Sequence, residues 1–296
     1  MGEPLKIGVI GGSGLYELEG LEKVSRVSIE TPFGAPSDAL LTGELAGVPM
    51  VFLPRHGVGH RILPHEINFR ANLWAMKKLG VTEIVSVSAV GSMKEAIVPG
   101  HLVLVDQFID RTKSRPSTFF GDGIVVHVPF YEPTCPNMRR GLGQVADEIG
   151  VKTHMGGTYV CIEGPTFSTR AESFLYRSWG VDVVGMTNMP EAKLAREAEI
   201  CYATIALATD YDCWHETEEA VSVEAVLKTL AREVEQAKQV IAGFVKARAA
   251  HPAGPTCPLC PVAARGGMMT AAEHVSDVVR KRLEPIIGGF LPAGGE

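Results

Sequence analysis

The sequence predicts an α/β protein with one central, mostly buried mixed β-sheet flanked by helices. Short apolar runs rich in β-branched residues alternate with helical segments, and several of these runs stop abruptly at glycine or polar residues. The 296 residues, 46% hydrophobic and 21% charged, suffice for one large domain or two smaller ones. No linker divides the chain before its last fifty residues. We therefore predict one domain over residues 1–250, with 251–296 as a linker and a final helix packed on it.

Charge and composition exclude several classes of partner. The formal net charge is −6, the pI is near 5.9, and no basic cluster is present, which argues against binding to nucleic acid or to an anionic membrane. The N-terminal MGEPLKIGVIGG lacks the features of a signal peptide, and no stretch reaches 18 uninterrupted apolar residues. We expect a cytoplasmic protein.

The segment 181–214 carries the strongest functional signal. It is predicted to form a strand, a helix of strong helix formers over 191–199, and a second, almost wholly apolar strand over 201–209. That second strand ends in Asp210-Tyr211-Asp212. A turn or helix cap is the alternative for a lone aspartate there. Two acids at the carboxyl end of a buried strand, where open α/β sheets bind ligands, favour a site.

The same segment resembles a known family. MTNMPEAKLAREAEICYATIALATDYDCW, followed by EEAVSVEAVLKTL at 218–230, closely resembles the methylthioadenosine phosphorylases of the purine nucleoside phosphorylase superfamily, and the match runs from about Ile7 to about Phe244. The resemblance implies phosphorolysis of 5'-methylthioadenosine to adenine and 5-methylthioribose 1-phosphate, a step of purine and methionine salvage. Inorganic phosphate is then a co-substrate, with no metal or other cofactor. A 6-oxopurine nucleoside or 5'-methylthioinosine is the alternative substrate.

The first strand, Leu5 to Ile10, opens directly into Gly11-Gly12-Ser13-Gly14. A dinucleotide fingerprint fails because Glu17 stands where the third glycine is needed, and the lysine of a P-loop is missing. What remains is either a tight turn or a loop whose N–H groups and one hydroxyl cradle a phosphate. By resemblance, Ser13 contacts phosphate.

A second strand end carries Arg55 and His56, a planar guanidinium and a further donor suited to a tetrahedral oxyanion. A surface pair is the alternative. His56, His60 and His65 do not predict a metal site, because glycines separate the first two and no third ligand has suitable spacing. The RHG motif of the resembling family binds phosphate, which implies that role for Arg55 and His56.

A third strand end runs into Ser88-Ala89-Val90-Gly91-Ser92, where hydroxyls and backbone donors suit an oxyanion. The resemblance assigns phosphate contacts to Ser88 and Ala89, and we add Thr187 to that set. One departure is Pro99-Gly100-His101, where the superfamily usually has Pro-Gly-Asp. We expect His101 to occupy a structural position.

The resemblance also implies the nucleoside contacts. The EGPxFS segment places Phe167 against the purine, although core packing is the alternative for this residue. Met186 is expected to lie against the ribose hydroxyls through its backbone. The helix predicted from Val221 to Phe244 carries an apolar stripe that is core by default. Its first turns follow the two acids closely, so the residues expected to wall an apolar pocket are Val221, Val223 and Leu227.

The long irregular region from Ile109 to Asn137 contains His127. Loops of this length in a compact domain are usually functional or interfacial. A packed histidine is the alternative to a functional one. In the resembling enzymes this histidine covers the alkylthio pocket of a neighbouring subunit, which implies that His127 is a lid and that the protein is a homotrimer.

The chain beyond Arg248 is not explained by the resemblance. Cys257 and Cys260 form a lone C-x-x-C between prolines, without the second pair that a zinc site needs. We interpret this stretch as a surface linker and leave a local disulfide open. A final helix is expected over 270–283.

These observations predict a phosphorylase in which Asp210 is the general acid that protonates the leaving purine and Asp212 assists it. A nucleotide-linked dehydrogenase would need the fingerprint that fails at Glu17. A noncatalytic nucleoside-binding protein would keep the pocket and release no adenine when phosphate is added.

Overall fold

The computed structural model describes residues 4–215, 223–250 and 257–291. The strands are β1 (Ile7–Gly11), β2 (Glu22–Val27), β3 (Leu40–Leu45), β4 (Val48–Pro54), β5 (Glu83–Ser92), β6 (Leu102–Leu104), β7 (Gln107–Arg111), β8 (Thr153–Met155), β9 (Thr158–Ile162), β10 (Val183–Gly185) and β11 (Cys201–Asp210). The helices are α1 (Phe69–Lys78), α2 (Pro136–Glu148), α3 (Arg170–Ser178), α4 (Asn188–Glu197), α5 (Val223–Ala249), α6 (Asp277–Arg282) and α7 (Glu284–Ile287). This mixture confirms the predicted α/β class.

Strand β5 lies at the centre of the mixed sheet and pairs with three neighbours. It runs parallel to β1 near its start and parallel to β11 along most of its length, and it meets β10 in antiparallel register at its end. Because β4 is parallel to β1, the carboxyl ends of β1, β4, β5 and β11 lie at one edge of the sheet. In a sheet of this kind, that edge is where ligands bind.

Strand β11 is buried on both faces, as its apolar sequence predicts. Successive side chains of a strand point to opposite sides. Cys201 and Ile205 accordingly join a core cluster with α2 and α5, while Tyr202 and Ala206 join the other main cluster with α1 and α4. Helices therefore cover both faces of the central strands.

Two sequence predictions outside the sheet centre are wrong in detail. The apolar run 102–108, which the sequence predicts as one buried strand, forms two strands, because β6 pairs with β11 and β8 while β7 pairs with β9. Of the expected helix over 270–283, the part over Asp277–Arg282 is α-helical (α6), and the short helix α7 follows it. The Ser276 side chain caps the first turn of α6, accepting from the Val279 N–H, and Pro285 stands in the first turn of α7.

The C-terminal residues 257–291 pack against the main body of the chain. Trp74 of α1 donates its indole N–H to the Arg282 carbonyl at 3.0 Å, and Leu283 and Ile286 join the core around α1. Cys257 and Cys260 are 5% and 1% exposed, so the prediction of a surface linker is wrong at these two residues. Among the described residues, no helix combines the length and apolar character needed to cross a membrane.

Candidate active site

A cavity of about 460 Å³ opens at the sheet edge where β1, β4, β5 and β11 end. Its wall is built from several separate segments, which is the arrangement that the polar strand ends predict. The sequence-predicted residues that line it are Arg55, His56, Ser88, Ala89, Phe167, Met186, Thr187, Asp210 and Asp212. The fold therefore brings together groups that follow strands as distant in the chain as β4 and β11.

Some predicted site residues do not join this wall or cannot be placed. Val221 lies outside the described residues, as do the side chains of Ser13, Val223 and Leu227. Their neighbours Gly12, Leu15, Leu230 and Val234 do line the cavity. His101 is not part of the wall, and its Nδ1 lies 3.0 Å from His154 Nε2.

His127 is likewise absent from the lining of this chain's own cavity. Its side chain is exposed, and its backbone N–H donates to the Gly267 carbonyl at 2.8 Å. Its predicted place is the pocket of a neighbouring subunit, and that arrangement stays a prediction.

Asp210 is aimed into the cavity by an irregularity at the end of β11. The register between β11 and β5 shifts by one residue between Ala208 and Asp210, so that Asp210 lies opposite Gly91. Such a bulge redirects a side chain. A Cβ on Gly91 would lie 3.2 Å from both Asp210 Oδ1 and Asp212 Cβ, so a larger residue at 91 would crowd both acids.

Local hydrogen bonds fix the Asp210 carboxyl. Thr209 Oγ1 donates to its Oδ2 at 2.7 Å, and the Asp212 backbone N–H donates to its Oδ1 at 2.8 Å. Asp212 itself adopts φ 53°, a left-handed conformation that aspartate tolerates better than most residues. Asp212 therefore positions Asp210 through its main chain.

Burial raises the pKa of both carboxyls. For Asp210 desolvation outweighs the two hydrogen bonds that favour the carboxylate, so its pKa rises. For Asp212 desolvation is again the largest cause, and the negative charge of Asp210 adds to it. A buried carboxyl with a raised pKa can keep its proton for donation to a leaving group.

Arg55 lines the cavity, but most of its guanidinium N–H groups already have partners within the protein. Its Nε and Nη2 contact the two carboxylate oxygens of Glu191 at 2.8 and 3.0 Å, and both side chains are almost fully buried. Nη2 also donates to Ser86 Oγ, and Nη1 donates to the Val87 carbonyl. Among the described residues one Nη1 hydrogen has no acceptor. Glu191 therefore occupies the Nε and Nη2 edge of the guanidinium, and the phosphate contact of Arg55 stays a prediction.

His56 is neutral and cannot add a second positive charge. Its Nδ1 lies 2.8 Å from the Ile62 carbonyl, which can only accept, so Nδ1 carries the proton. Burial lowers the pKa of His56 to about 4, and Arg55 and His60 push it in the same direction. The backbone N–H of His56 donates to no residue that the structure describes. The group with which His56 can donate to an anion is therefore its backbone N–H. Its ring offers only Nε2 to the cavity, and this nitrogen is an acceptor.

Three hydroxyl groups meet beside this end of the cavity. Ser88 Oγ lies 3.0 Å from Thr187 Oγ1 and 3.3 Å from the Tyr159 hydroxyl. Burial raises the pKa of Tyr159 to about 12, so it stays protonated. A Cβ on Gly185 would lie 2.0 Å from the Tyr159 oxygen, so only glycine leaves room for this ring. Sequence reasoning missed Tyr159, since nothing in the chain marks it as different from a core tyrosine.

Arg115 is a second residue that sequence reasoning missed. It lies in the long loop before α2, and its Nη1 donates to the carbonyls of Met186 and Met189, both at 2.7 Å. Its Nη2 donates to the Glu163 carbonyl at 2.6 Å. Arg115 thus ties the end of β9 to the start of α4. The expected backbone contact of Met186 with ribose stays a prediction.

Phe167 lines the cavity at its open side and is 54% exposed. An aromatic side chain this exposed does not serve core packing, which was its alternative. Its face is free to lie against a planar ring.

The chain matches the family model of the phosphorylase superfamily over residues 6–246. An S-methyl-5'-thioadenosine phosphorylase from Geobacter sulfurreducens is 57% identical over 286 residues, 96% of this chain and 99% of the relative. A solved methylthioadenosine phosphorylase from an Antarctic soil metagenomic library has a TM-score of 0.90 at 48% identity, covering 96% of this chain and 99% of its own. Another, from Schistosoma mansoni in complex with adenine, has a TM-score of 0.80 at 41% identity, with coverage of 83% and 93%.

The chain therefore belongs to the phosphorylase superfamily, and these identities place it in the S-methyl-5'-thioadenosine phosphorylase family.

Proposed function

We propose that this chain catalyses the phosphorolysis of 5'-methylthioadenosine, releasing adenine and 5-methylthioribose 1-phosphate. The observation that carries the proposal is the buried Asp210 carboxyl, whose pKa is raised, on the wall of a cavity that also holds a cluster of hydroxyl donors. Membership of the family supports the choice of substrate. The reaction makes the chain a pentosyltransferase.

The hydroxyl end of the cavity is the proposed phosphate subsite. Ser88 and Thr187 offer hydroxyls, and His56 offers its backbone N–H. Arg55 contributes positive charge, partly neutralised by Glu191, and one remaining Nη1 hydrogen. The glycine loop at Ser13 and the backbone of Ala89 complete the set that the family resemblance assigns. These donors hold an anion without a metal ion, and phosphate is the co-substrate.

The chemistry follows from how charge moves when the bond breaks. A phosphate oxygen attacks the anomeric carbon of the ribose, and the bond from that carbon to the purine nitrogen breaks with its electron pair going to the base. Positive charge that develops on the sugar is met by the phosphate anion. Negative charge on the base is neutralised by the proton of Asp210. Asp212 holds Asp210 in place.

A protonated Asp210 also suits a 6-aminopurine. Its O–H donates to the imidazole nitrogen of the base while its other oxygen accepts from the amine. Phe167 offers its exposed face to the ring. A 6-oxopurine presents an acceptor where adenine presents the amine, so a carboxyl that must accept there disfavours it.

The apolar 5' end of the substrate is expected along α5, where Leu230 and Val234 reach the cavity. We further propose a homotrimer in the cytoplasm, in which the exposed His127 covers the pocket of a neighbouring subunit. The exposed side chain of His127 leaves it accessible to a neighbouring subunit.

The test is a panel of methylthioadenosine, adenosine, methylthioinosine and inosine, each assayed with and without inorganic phosphate. We expect adenine release from methylthioadenosine that requires phosphate and exceeds base release from both inosine compounds. Binding without phosphate-dependent release would identify a nucleoside-binding protein. Faster release from methylthioinosine would make the 6-oxopurine the substrate.

A further inference from the structure

Four cysteines that are far apart in the sequence meet inside the protein. Cys135 is the residue that precedes the first turn of α2, and Cys201 is the first residue of β11. Cys257 and Cys260 come from the C-terminal segment. All four sulfur atoms lie within 4.8 Å of one another, and none of the four residues is more than 5% exposed. The second pair of cysteines that the C-x-x-C lacks in sequence is therefore supplied by the fold.

The spacing of these atoms suits a tetrahedral metal site. A zinc–sulfur distance of about 2.3 Å places neighbouring sulfurs of a tetrahedron roughly 3.8 Å apart. Cys257 Sγ lies 3.5 Å from Cys260 Sγ. The Cys260 backbone N–H also points at Cys257 Sγ at 3.5 Å. Such an N–H stabilises a thiolate, which is the form that binds a metal.

We propose that Cys135, Cys201, Cys257 and Cys260 bind one zinc ion as a structural tetrathiolate site. Four soft sulfur ligands favour zinc over the hard cations magnesium and calcium. A complete set of four protein ligands, all buried, leaves no open position for a substrate, which is typical of a structural site.

The position of the cluster separates it from the proposed chemistry. It lies at the amino end of β11, and Asp210 lies at the carboxyl end. A strand of ten residues spans roughly 30 Å. The ion would join α2 and β11 to the C-terminal segment. That segment is also held at Glu199, just after α4, by the backbone N–H groups of Ala264 and Arg265, which donate to Glu199 Oε1 at 3.1 and 3.0 Å.

The proposal is tested first on the wild-type protein, which requires no variant to fold. The chain is purified under reducing conditions without metal-chelating chromatography, and its zinc content is measured by elemental mass spectrometry. We expect about one zinc ion per chain, as a four-ligand site requires. Replacement of the zinc by cobalt should give the visible absorption of a tetrahedral cobalt thiolate.

Matched variants locate the ion. Cys260→Ser and Cys201→Ser should lose most of the bound zinc and lower the melting temperature. Cys161→Ser alters a cysteine of β9 that is equally buried but outside the cluster, and it should keep the metal. Removing zinc with a chelator should lower the melting temperature of wild type and leave the KM for nucleoside unchanged.

Two results on wild type would overturn the proposal. One is a metal-free protein in which all six cysteine thiols of the chain react with a thiol reagent after unfolding. The other is an intact mass lower by four hydrogen atoms, since that mass shows two disulfides in place of four metal-binding thiolates. Neither result bears on phosphorolysis, so the metal proposal fails or stands independently of the proposed function.

Discussion

The two ends of strand β11 carry two different kinds of polar cluster. At the carboxyl end, Asp210 and Asp212 are two residues apart in the sequence and face a cavity. At the amino end, Cys201 joins sulfur atoms from two distant segments in a closed interior. The first cluster is open on one side, as a site for a changing ligand must be. The second is enclosed by its own four side chains, as a permanent structural link would be.

This contrast shows which kind of polar cluster can be recognised from the sequence alone. The acids are visible because they break an apolar strand at the sheet edge where ligands bind. The cysteines are invisible as a group because no local pattern links α2, β11 and the C-terminal segment. Each cysteine alone is indistinguishable from a small buried apolar residue.

Among variants near the cavity, the largest effect is expected at Arg55. Arg55→Ala leaves the Glu191 carboxylate buried without its partner, and breaking a buried pair in this way costs about 3–5 kcal/mol. We expect the free energy of unfolding in urea to fall by that amount. The double variant Arg55→Ala with Glu191→Gln should recover part of the loss. A variant of unchanged stability that differs only in its KM for phosphate would show that Arg55 is a phosphate ligand and not a structural residue.

The next effect is expected at Asp210 itself. Asp210→Asn should lower kcat/KM for methylthioadenosine by about a hundredfold or more, the scale of a lost general acid. It should reduce kcat/KM for methylthioinosine far less, because an amide can donate to a 6-oxo group. The melting temperature should stay equal or rise, since a carboxyl with a raised pKa destabilises the fold once it ionises. An equal loss on both substrates would leave Asp210 as an acid without a role in selectivity.

A smaller effect is expected at Tyr159, which positions Ser88 and Thr187. Tyr159→Phe removes the hydroxyl that contacts Ser88 Oγ and accepts from the Thr187 N–H. Loss of one such bond costs about 1 kcal/mol, or roughly fivefold to tenfold. We expect that change in the KM for phosphate, with little change in kcat. The control is Tyr202→Phe, which removes a buried hydroxyl from Glu191 instead. Equal phosphate KM values in the two variants would exclude a positioning role.

The smallest effect is expected at the exposed His127. If it covers a neighbour's pocket, His127→Ala should impair methylthioadenosine more than adenosine, since only the former fills the apolar 5' end. Kinetics with both nucleosides measure this difference. Sedimentation that detects a fully active monomer would rule out the arrangement.

Much of the open site could be predicted because its residues follow strand ends. Ser88 and Asp210 stand where apolar runs stop, and the structure places both on the cavity wall. The partners of Arg55 and His56 could not be predicted, because Glu191 is 136 residues from Arg55 in the chain and the Ile62 carbonyl meets the His56 ring only through the course of the intervening loop. Arg115 and Tyr159 acquire their roles only through contacts that the fold creates.

The most direct test of Asp210 as the general acid is the pH dependence of kcat/KM for methylthioadenosine in wild type and Asp210→Asn. An acid must be protonated, so wild-type activity should fall as the pH rises through the raised pKa of Asp210. Dividing the wild-type profile by the Asn profile cancels the titration of phosphate, which both proteins share. The account predicts a ratio that falls toward a constant low value as the pH rises. A ratio that does not change with pH would contradict it.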